Sequence, residues 1–180
     1  VSVQINQAFY YTNIDNSLVA VTDASGRLYL SNAPYTVNSK GTDTYIRFEY
    51  EHLELYLGYN HTEARRTDTK DPVLFSPQNK FSYTLAYEIE NKWRMGIESS
   101  YVGDQYIARN TKAPNYWFYA GMIERKINRM SIVVNCENIF DYRQNRVQSI
   151  VSGPISSPTF ANIWGPIDGR VVNVALRVKL

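Results

Sequence analysis

The last ten residues, Val171 to Leu180, carry an apolar side chain at every second position: Val172, Val174, Leu176, Val178 and Leu180. Asn173, Ala175, Arg177 and Lys179 stand between them. Successive side chains of a strand point to opposite faces, so this segment is a strand with one greasy face and one polar face. A transmembrane barrel needs that pattern, because lipid surrounds its outside and water fills its inside. A soluble sandwich needs it too, with the greasy face turned into a core.

The same period of two recurs along the chain. Val1, Val3, Ile5, Phe9 and Tyr11 alternate with polar neighbours, as do Ile46, Phe48 and Tyr50, and then Leu53, Leu55, Leu57 and Tyr59. Phe81 to Ile89, Trp93 to Tyr101 and Met130 to Cys136 repeat it, whereas Asn115 to Ile123 is apolar on both faces and its phase cannot be read. The pattern predicts about eight strands, each near the ~9–11 residues that cross a bilayer when tilted. Tight turns are expected at Glu51-His52, Glu90-Asn91-Lys92 and Lys126-Ile127-Asn128. Long loops rich in Gly, Pro, Ser, Asn and Asp are expected at about 13–40, 65–79, 108–114 and 142–168. Short and long connections alternate strictly, which gathers all tight turns at one end of an up-and-down meander. Tyr50, Tyr87 and Trp93 mark the tight-turn end, and Tyr11, Tyr59, Tyr101 and Phe140 the long-loop end, as aromatic belts would. This favours an all-β, antiparallel, up-and-down transmembrane barrel segment over a sandwich, whose strands are typically shorter.

Composition narrows the function. The chain has 19 basic and 17 acidic residues, a net charge of +2, which makes no case for nucleic acid. Its 15 Tyr, 7 Phe and 3 Trp suit a protein surface, a glycan site or a membrane boundary. No segment approaches the ~18 apolar residues of a membrane helix. Cys136 is the single cysteine, so an internal disulfide is excluded. His52 and His61 lack a nearby third ligand, which argues against a metal site. Glu49, Glu54, Glu88, Glu98 and Glu137 fall on the polar strand faces with Arg47, Lys80, Arg94 and Lys179, where lumenal charge pairs explain them better than acid/base catalysis. No catalytic residue or cofactor is expected.

Cys136-Glu137-Asn138-Ile139-Phe140-Asp141-Tyr142-Arg143 resembles the "NLFD" signature near the end of TonB-dependent outer-membrane receptors. Gly165-Pro166-Ile167-Asp168-Gly169-Arg170 is similar to that family's lead-in to its closing strand. Ala8 to Thr12 looks like its "aFYt" strand, Phe75 to Phe81 resembles its loop-to-strand junction, and Trp93 to Gly103 its "w…Y.G" strand. The likeness runs over nearly the whole chain in the family's order. The chain departs from it in closing on Leu180, where the family has an aromatic, and in having only a loose counterpart of "GvE" at Gly41 to Tyr45.

The resemblance implies that residues 1–180 are the C-terminal barrel portion of an importer in the bacterial outer membrane. The plug domain and the segment that contacts TonB would lie upstream. It also implies an iron chelate such as a siderophore as the substrate, with outer-membrane lipid and the TonB complex as partners. Arg65, Arg66, Arg109, Trp117, Arg143 and Arg146, at the long-loop end, are the candidate ligand-binding residues. Loop contact with surface lipopolysaccharide would equally explain their charge. Val172, Val174, Leu176, Val178 and Leu180 are the expected lipid-facing positions of the closing strand. Two other readings remain open at this point: a self-contained eight-stranded barrel with a structural or adhesive role, and a soluble glycan-binding sandwich.

Overall fold

The computed structural model describes residues 1–179, so Leu180 lies outside the described residues. The elements in chain order are β1 (Ser2–Ile14), β2 (Leu18–Thr22), β3 (Leu28–Asn32), β4 (Val37–Tyr50), β5 (Leu53–Arg66), β6 (Asn79–Ile89) and β7 (Trp93–Val102). They continue with β8 (Gln105–Ala108), β9 (Thr111–Ala113), β10 (Tyr116–Ile127), β11 (Met130–Glu137), a 3-10 turn at Gln144–Arg146, β12 (Val151–Ser152), β13 (Thr159–Phe160) and β14 (Val171–Val178). Eight strands form one antiparallel meander in the order β1-β4-β5-β6-β7-β10-β11-β14. The other six make three separate hairpins, β2–β3, β8–β9 and β12–β13, each inside a long connection.

The register carries the apolar pattern across the whole sheet. One row runs Val3, Phe48, Leu55, Leu85, Ile97, Gly121, Cys136 and Val172. The next runs Tyr50, Leu53, Tyr87, Met95, Ile123, Val134 and Val174. These pairings settle the phase of the ambiguous segment: Trp117, Tyr119 and Ile123 share the apolar face, and Phe118, Ala120, Met122 and Glu124 the polar one. No second sheet covers the apolar face among the described residues. Val172, Val174, Leu176 and Val178 are 59%, 71%, 60% and 55% exposed. A sandwich would bury them, so that reading fails. A self-contained barrel would pair β1 with β14, yet each is an open edge of the sheet.

The tight turns reveal the strand tilt. Tyr50–Leu53 is the last pair before the β4–β5 turn, but the row through it meets β6 at Tyr87, two residues short of the Ile89–Trp93 pair. It meets β10 at Ile123, four residues short of the Ile127–Met130 pair. Each hairpin therefore steps down by two residues, or one per strand. At ~3.3 Å along a strand for every ~4.8 Å across, the turns stay level only if the strands tilt by about 35°. The third turn is shifted from the expected one: β10 continues to Ile127 and the chain reverses over Asn128-Arg129. Asn91 and Asn128 supply the left-handed backbone in two of the turns, at φ 59° and 54°.

At the opposite end β1, β4 and β5, with 13, 14 and 14 residues, overshoot the expected loop boundaries. Apolar parity stops there: below stand Leu57 and Tyr59, and above them His61, Glu63 and Arg65 take the same face. Tyr59, Phe81, Tyr101 and Trp117 form one register row at this boundary. The Tyr101 and Trp117 rings lie 5.1 Å apart, and Trp117 and Tyr119 5.8 Å. At the tight-turn end Arg125 lies over the Trp93 ring at 4.5 Å, a cation held against an interfacial aromatic. On the polar face Arg47 pairs with Glu49 and Glu54, Glu88 with Arg94 and Lys126, and Glu124 with Arg177. Tyr10 lies across Gly41, where a Cβ would meet the Tyr10 ring and the His61 carbonyl, and its hydroxyl reaches Thr62 Oγ1 at 2.5 Å.

Leu85→Arg, placed mid-strand on the apolar face, is expected to destabilise the folded wall in vesicles by about 2–4 kcal/mol. Thr84→Arg, one residue away on the polar face, should cost far less. Urea titration of the complete protein in lipid, followed by the gel shift of folded barrel, measures both.

Candidate functional site at the long-loop rim

The rim is built on two side-chain knots. Where β11 ends, Asn138 and Asp141 adopt left-handed backbone at φ 48° and 56°, which Asn and Asp tolerate better than most residues. The buried Asn138 amide donates to the carbonyls of Tyr142 (2.8 Å) and Asp168 (3.0 Å), and its Oδ1 accepts from Tyr142 N (2.9 Å). One side chain thereby ties the departure of the 138–170 loop to its return. Asp141 Oδ1 accepts from Arg143 Nε (2.8 Å) and Arg170 N (3.0 Å), and Oδ2 accepts from Arg143 Nη2 (2.9 Å) and from Arg146. The Arg170 guanidinium donates onward to Ile139 O at 2.8 Å. Asn138 and Asp141 thus end the strand by bonding backbone while also clamping β11 to the start of β14.

Gly169 is required by this clamp. A Cβ there would sit 2.7 Å from Asp141 Oδ1 and from the Arg143 guanidinium. Hydrogen bonding from Arg143 holds the Asp141 carboxyl far below the ordinary carboxylate range, with the Arg170 amide and the charges of Arg143 and Arg146 adding to it. The Arg143 guanidinium is raised in turn, chiefly by its bond to Asp141.

Gln144 is the second knot and is fully buried. Its Nε2 donates to Asn162 O at 2.8 Å, while its Oε1 accepts from Trp164 N at 2.7 Å and Gly165 N at 3.1 Å. Trp164 Nε1 donates to Gln148 Oε1 (2.7 Å), and Gln105 Nε2 donates to Trp164 O (2.8 Å), which joins the β8–β9 hairpin to the 138–170 loop. Tyr116, on the polar face of β10, stacks on Tyr142 with centroids 5.0 Å apart, and Trp164 lies tilted at 6.2 Å. The sequence pattern did not single out Gln144, Gln105 or Trp164. A single glutamine in a polar loop leaves no periodic signal.

The six residues expected to bind ligand do not form one cluster. Arg66, on the polar-face parity of β5, stacks over Tyr35 at 3.7 Å and donates Nε and Nη2 to Asp68 at 3.1 and 2.7 Å. That bond raises Arg66 and lowers Asp68. Arg109, at the tip of the β8–β9 hairpin, donates Nε to Asp71 at 2.9 Å. Arg65 falls on the apolar-face parity, bound to Glu63 at 2.9 Å beside Lys40. Trp117 belongs to the aromatic row on that same face. Arg143 and Arg146 converge on Asp141, next to Phe140, Tyr119 and Trp117. His61, a histidine with no metal role in the sequence reading, bonds Asn79 Oδ1 through Nδ1 at 2.8 Å.

Because the folded pKa of Asp141 lies below the unfolded one, its stabilisation is complete above about 3.9 and drains away as pH falls towards the folded value. Protection of segment 138–170 against hydrogen exchange, each rate taken relative to the intrinsic rate at that pH, should therefore stay constant from neutral pH to about 4 and fall below it. Asp141→Asn should lack that acid step and exchange faster at neutral pH, and Gly169→Ala should match its neutral-pH behaviour. Gln144→Ala leaves the Trp164 and Gly165 amides and the Asn162 carbonyl unmet, at about 1–3 kcal/mol each. Limited proteolysis should then cut between 144 and 166.

The family described as TonB dependent receptor-like, beta-barrel, matches residues 2–139. Among solved structures, the ferric yersiniabactin uptake receptor FyuA from Yersinia pestis superposes with a TM-score of 0.72 at 18% identity, covering 98% of this chain and 27% of that one. The siderophore receptor PirA from Acinetobacter baumannii gives 0.68 at 13% identity, covering 98% and 29%. The FrpB iron transporter from Neisseria meningitidis gives 0.66 at 14%, again covering 98% and 29%. The chain spans less than a third of the length of each. A search of curated proteins finds no match.

Proposed function

The chain belongs to the TonB-dependent receptor β-barrel family, and from that premise we propose that it forms wall, outer loops and part of the vestibule of an importer of iron chelates. The protein is an outer-membrane β-barrel, and its family and solved neighbours are receptors and transporters. In this reading the chain performs no catalysis. The rest of the wall, the plug and the segment that engages TonB come from sequence outside these residues. The observation that carries the reading is the family match over residues 2–139 together with a knotted long-loop rim. The iron and siderophore names of the solved neighbours support the substrate class.

On the lumen side of the rim the proposal assigns chelate contact to Arg66 and Arg109, with the Tyr116–Tyr142 stack as the flat apolar surface. Ferric chelates of hydroxamate or catecholate type are bulky, often anionic and partly aromatic, so they suit a rim that offers both planar rings and guanidiniums. Each arginine is already held by one carboxylate. Binding is therefore expected to depend on shape and hydrogen bonding more than on long-range attraction.

In the complete receptor, Arg66→Gln with Arg109→Gln should lower affinity for a cognate ferric chelate about tenfold, consistent with the loss of charge-assisted contacts. Fluorescence quenching with a panel of ferric siderophores measures it, with cobalamin and a maltooligosaccharide as competing classes. Iron-restricted growth that is indifferent to deletion of the receptor, with uptake of one of the other classes lost instead, would sink the iron-chelate reading.

A further inference from the structure

Beside Phe140 an open groove of about 390 Å³ lies against the rings on the apolar face of β10. Its floor is Trp117, Tyr119 and Phe140, and its upper edge is Asp141, Tyr142, Arg143, Arg146 and Val147. Phe140 is 70% exposed and meets Tyr119 edge-on at 4.9 Å. Both rings continue the aromatic row that ends the apolar parity of the wall. The floor therefore lies at the outer interface of the bilayer, and the two guanidiniums lie just above it, at headgroup depth.

The charge there does not cancel. Two guanidiniums share one carboxylate, which leaves a net positive charge in the trio. Both Asp141 oxygens already accept bonds, from Arg143, Arg146 and the Arg170 amide. Arg143 Nη1 and Arg146 Nε have no hydrogen-bond partner among the described residues. Arg143 is thus fixed by a two-point contact with spare donors, and Arg146 stands more open, with 57% of its side chain exposed. Paired guanidinium forks suit a phosphate, which accepts bidentate bonds.

We propose that this groove holds one phosphate-bearing glycolipid of the outer leaflet. The phosphate bridges Arg143 and Arg146, and an acyl chain descends over Phe140 and Tyr119. A membrane lipid is favoured over a soluble anion by the position of the rings. They lie on the lipid face with Phe81 and Tyr101, the face of β10 opposite the one that carries Tyr116. The site makes Arg143 and Arg146 part of how the rim is anchored in its membrane, separate from any chelate contact. The inference rests on the outer-membrane setting and not on the identity of the transported substrate.

Native mass spectrometry of the complete, delipidated receptor in detergent tests it. Three probes are used: bis-phosphorylated lipid A, the same glycolipid with both phosphates removed, and inorganic phosphate as competitor. The expected result is one retained lipid A, with affinity lowered about tenfold in Arg146→Gln by loss of a charge-assisted contact. Arg27→Gln, the same charge change on the distant β2–β3 hairpin, should leave retention unchanged. Arg146→Gln keeps the Asp141–Arg143 clamp, so folding is preserved and the gel shift of folded barrel checks it. Equal retention by Arg146→Gln and the parent protein overturns the proposal. So does equal retention of the dephosphorylated glycolipid, which would mean apolar adhesion, or displacement by inorganic phosphate, which would mean a free-anion site. No chelate is present in the assay, so its outcome is independent of the iron-chelate reading.

Discussion

Lipid offers no hydrogen-bond partner, so every backbone N–H and C=O in a wall strand must find another strand. The rest of the structure depends on that constraint. It demands long continuous ladders, and the seven pairings from β1 to β14 run without a bulge inside the sheet. It also forbids an edge in contact with lipid. Both β1 and β14 present unpaired backbone here, which is why the sheet makes physical sense only as part of a longer wall or against other strands. The one-residue stagger per strand points the same way. A tilt of about 35° is what lets many such strands stand side by side with their turns level, as in large barrels.

Much of this was legible in the chain, for a definite reason. A wall strand is apolar on one face only, so period-two alternation survives wherever the other face is watery. It failed at Asn115 to Ile123 because Tyr116, Phe118, Ala120 and Met122 make the lumen side apolar too. Only the pairing of Ile123 with Met95 and Val134 fixes the phase. The third turn was misplaced for a related reason: Ile127 and Met130 continue the apolar parity through the reversal, so the pattern shows no break where the chain turns. Strand ends at the rim were set too low because β4 and β5 go on pairing above the bilayer, where polar side chains on both faces erase the alternation.

The rim was less readable. The arginines were visible as a basic bias of the long loops, but which face each one takes depends on parity and loop path. Arg65 and Arg66 are neighbours in sequence and fall on opposite faces of β5. Their carboxylate partners, Asp68, Asp71 and Asp141, were not identified, because loop geometry and not spacing brings them into range. Gln144 is the extreme case. It is the most buried polar side chain of the loop and makes three hydrogen bonds, yet nothing in its sequence context distinguishes it from Gln148. Asn138 and Asp141 were readable only through the NIFD run. Gly169 follows once the Asp141–Arg143 clamp is known, since a side chain there would occupy the space of that ion pair.

On the proposed reading, these partners set how the rim would select a ligand. A set of free arginines would draw anions from a distance and lose that advantage steeply as salt rises. In the folded rim Arg65, Arg66 and Arg109 each face one carboxylate, and Lys112 faces Asp104 at 3.4 Å. At separations beyond a Debye length of about 8 Å these pairs look nearly neutral. What they retain is direction: a guanidinium held at two points by Asp68 or Asp141 points its spare N–H groups along a fixed line. Recognition at such a rim is short-range and geometric, and it discriminates by where acceptor oxygens fall. The exceptions are the Asp141 trio and the Lys40–Glu63–Arg65 trio, each with two cations to one carboxylate, and both stand on the membrane side. The charge surplus of both trios therefore faces the lipid, while Arg66 and Arg109 are left as oriented but compensated donors.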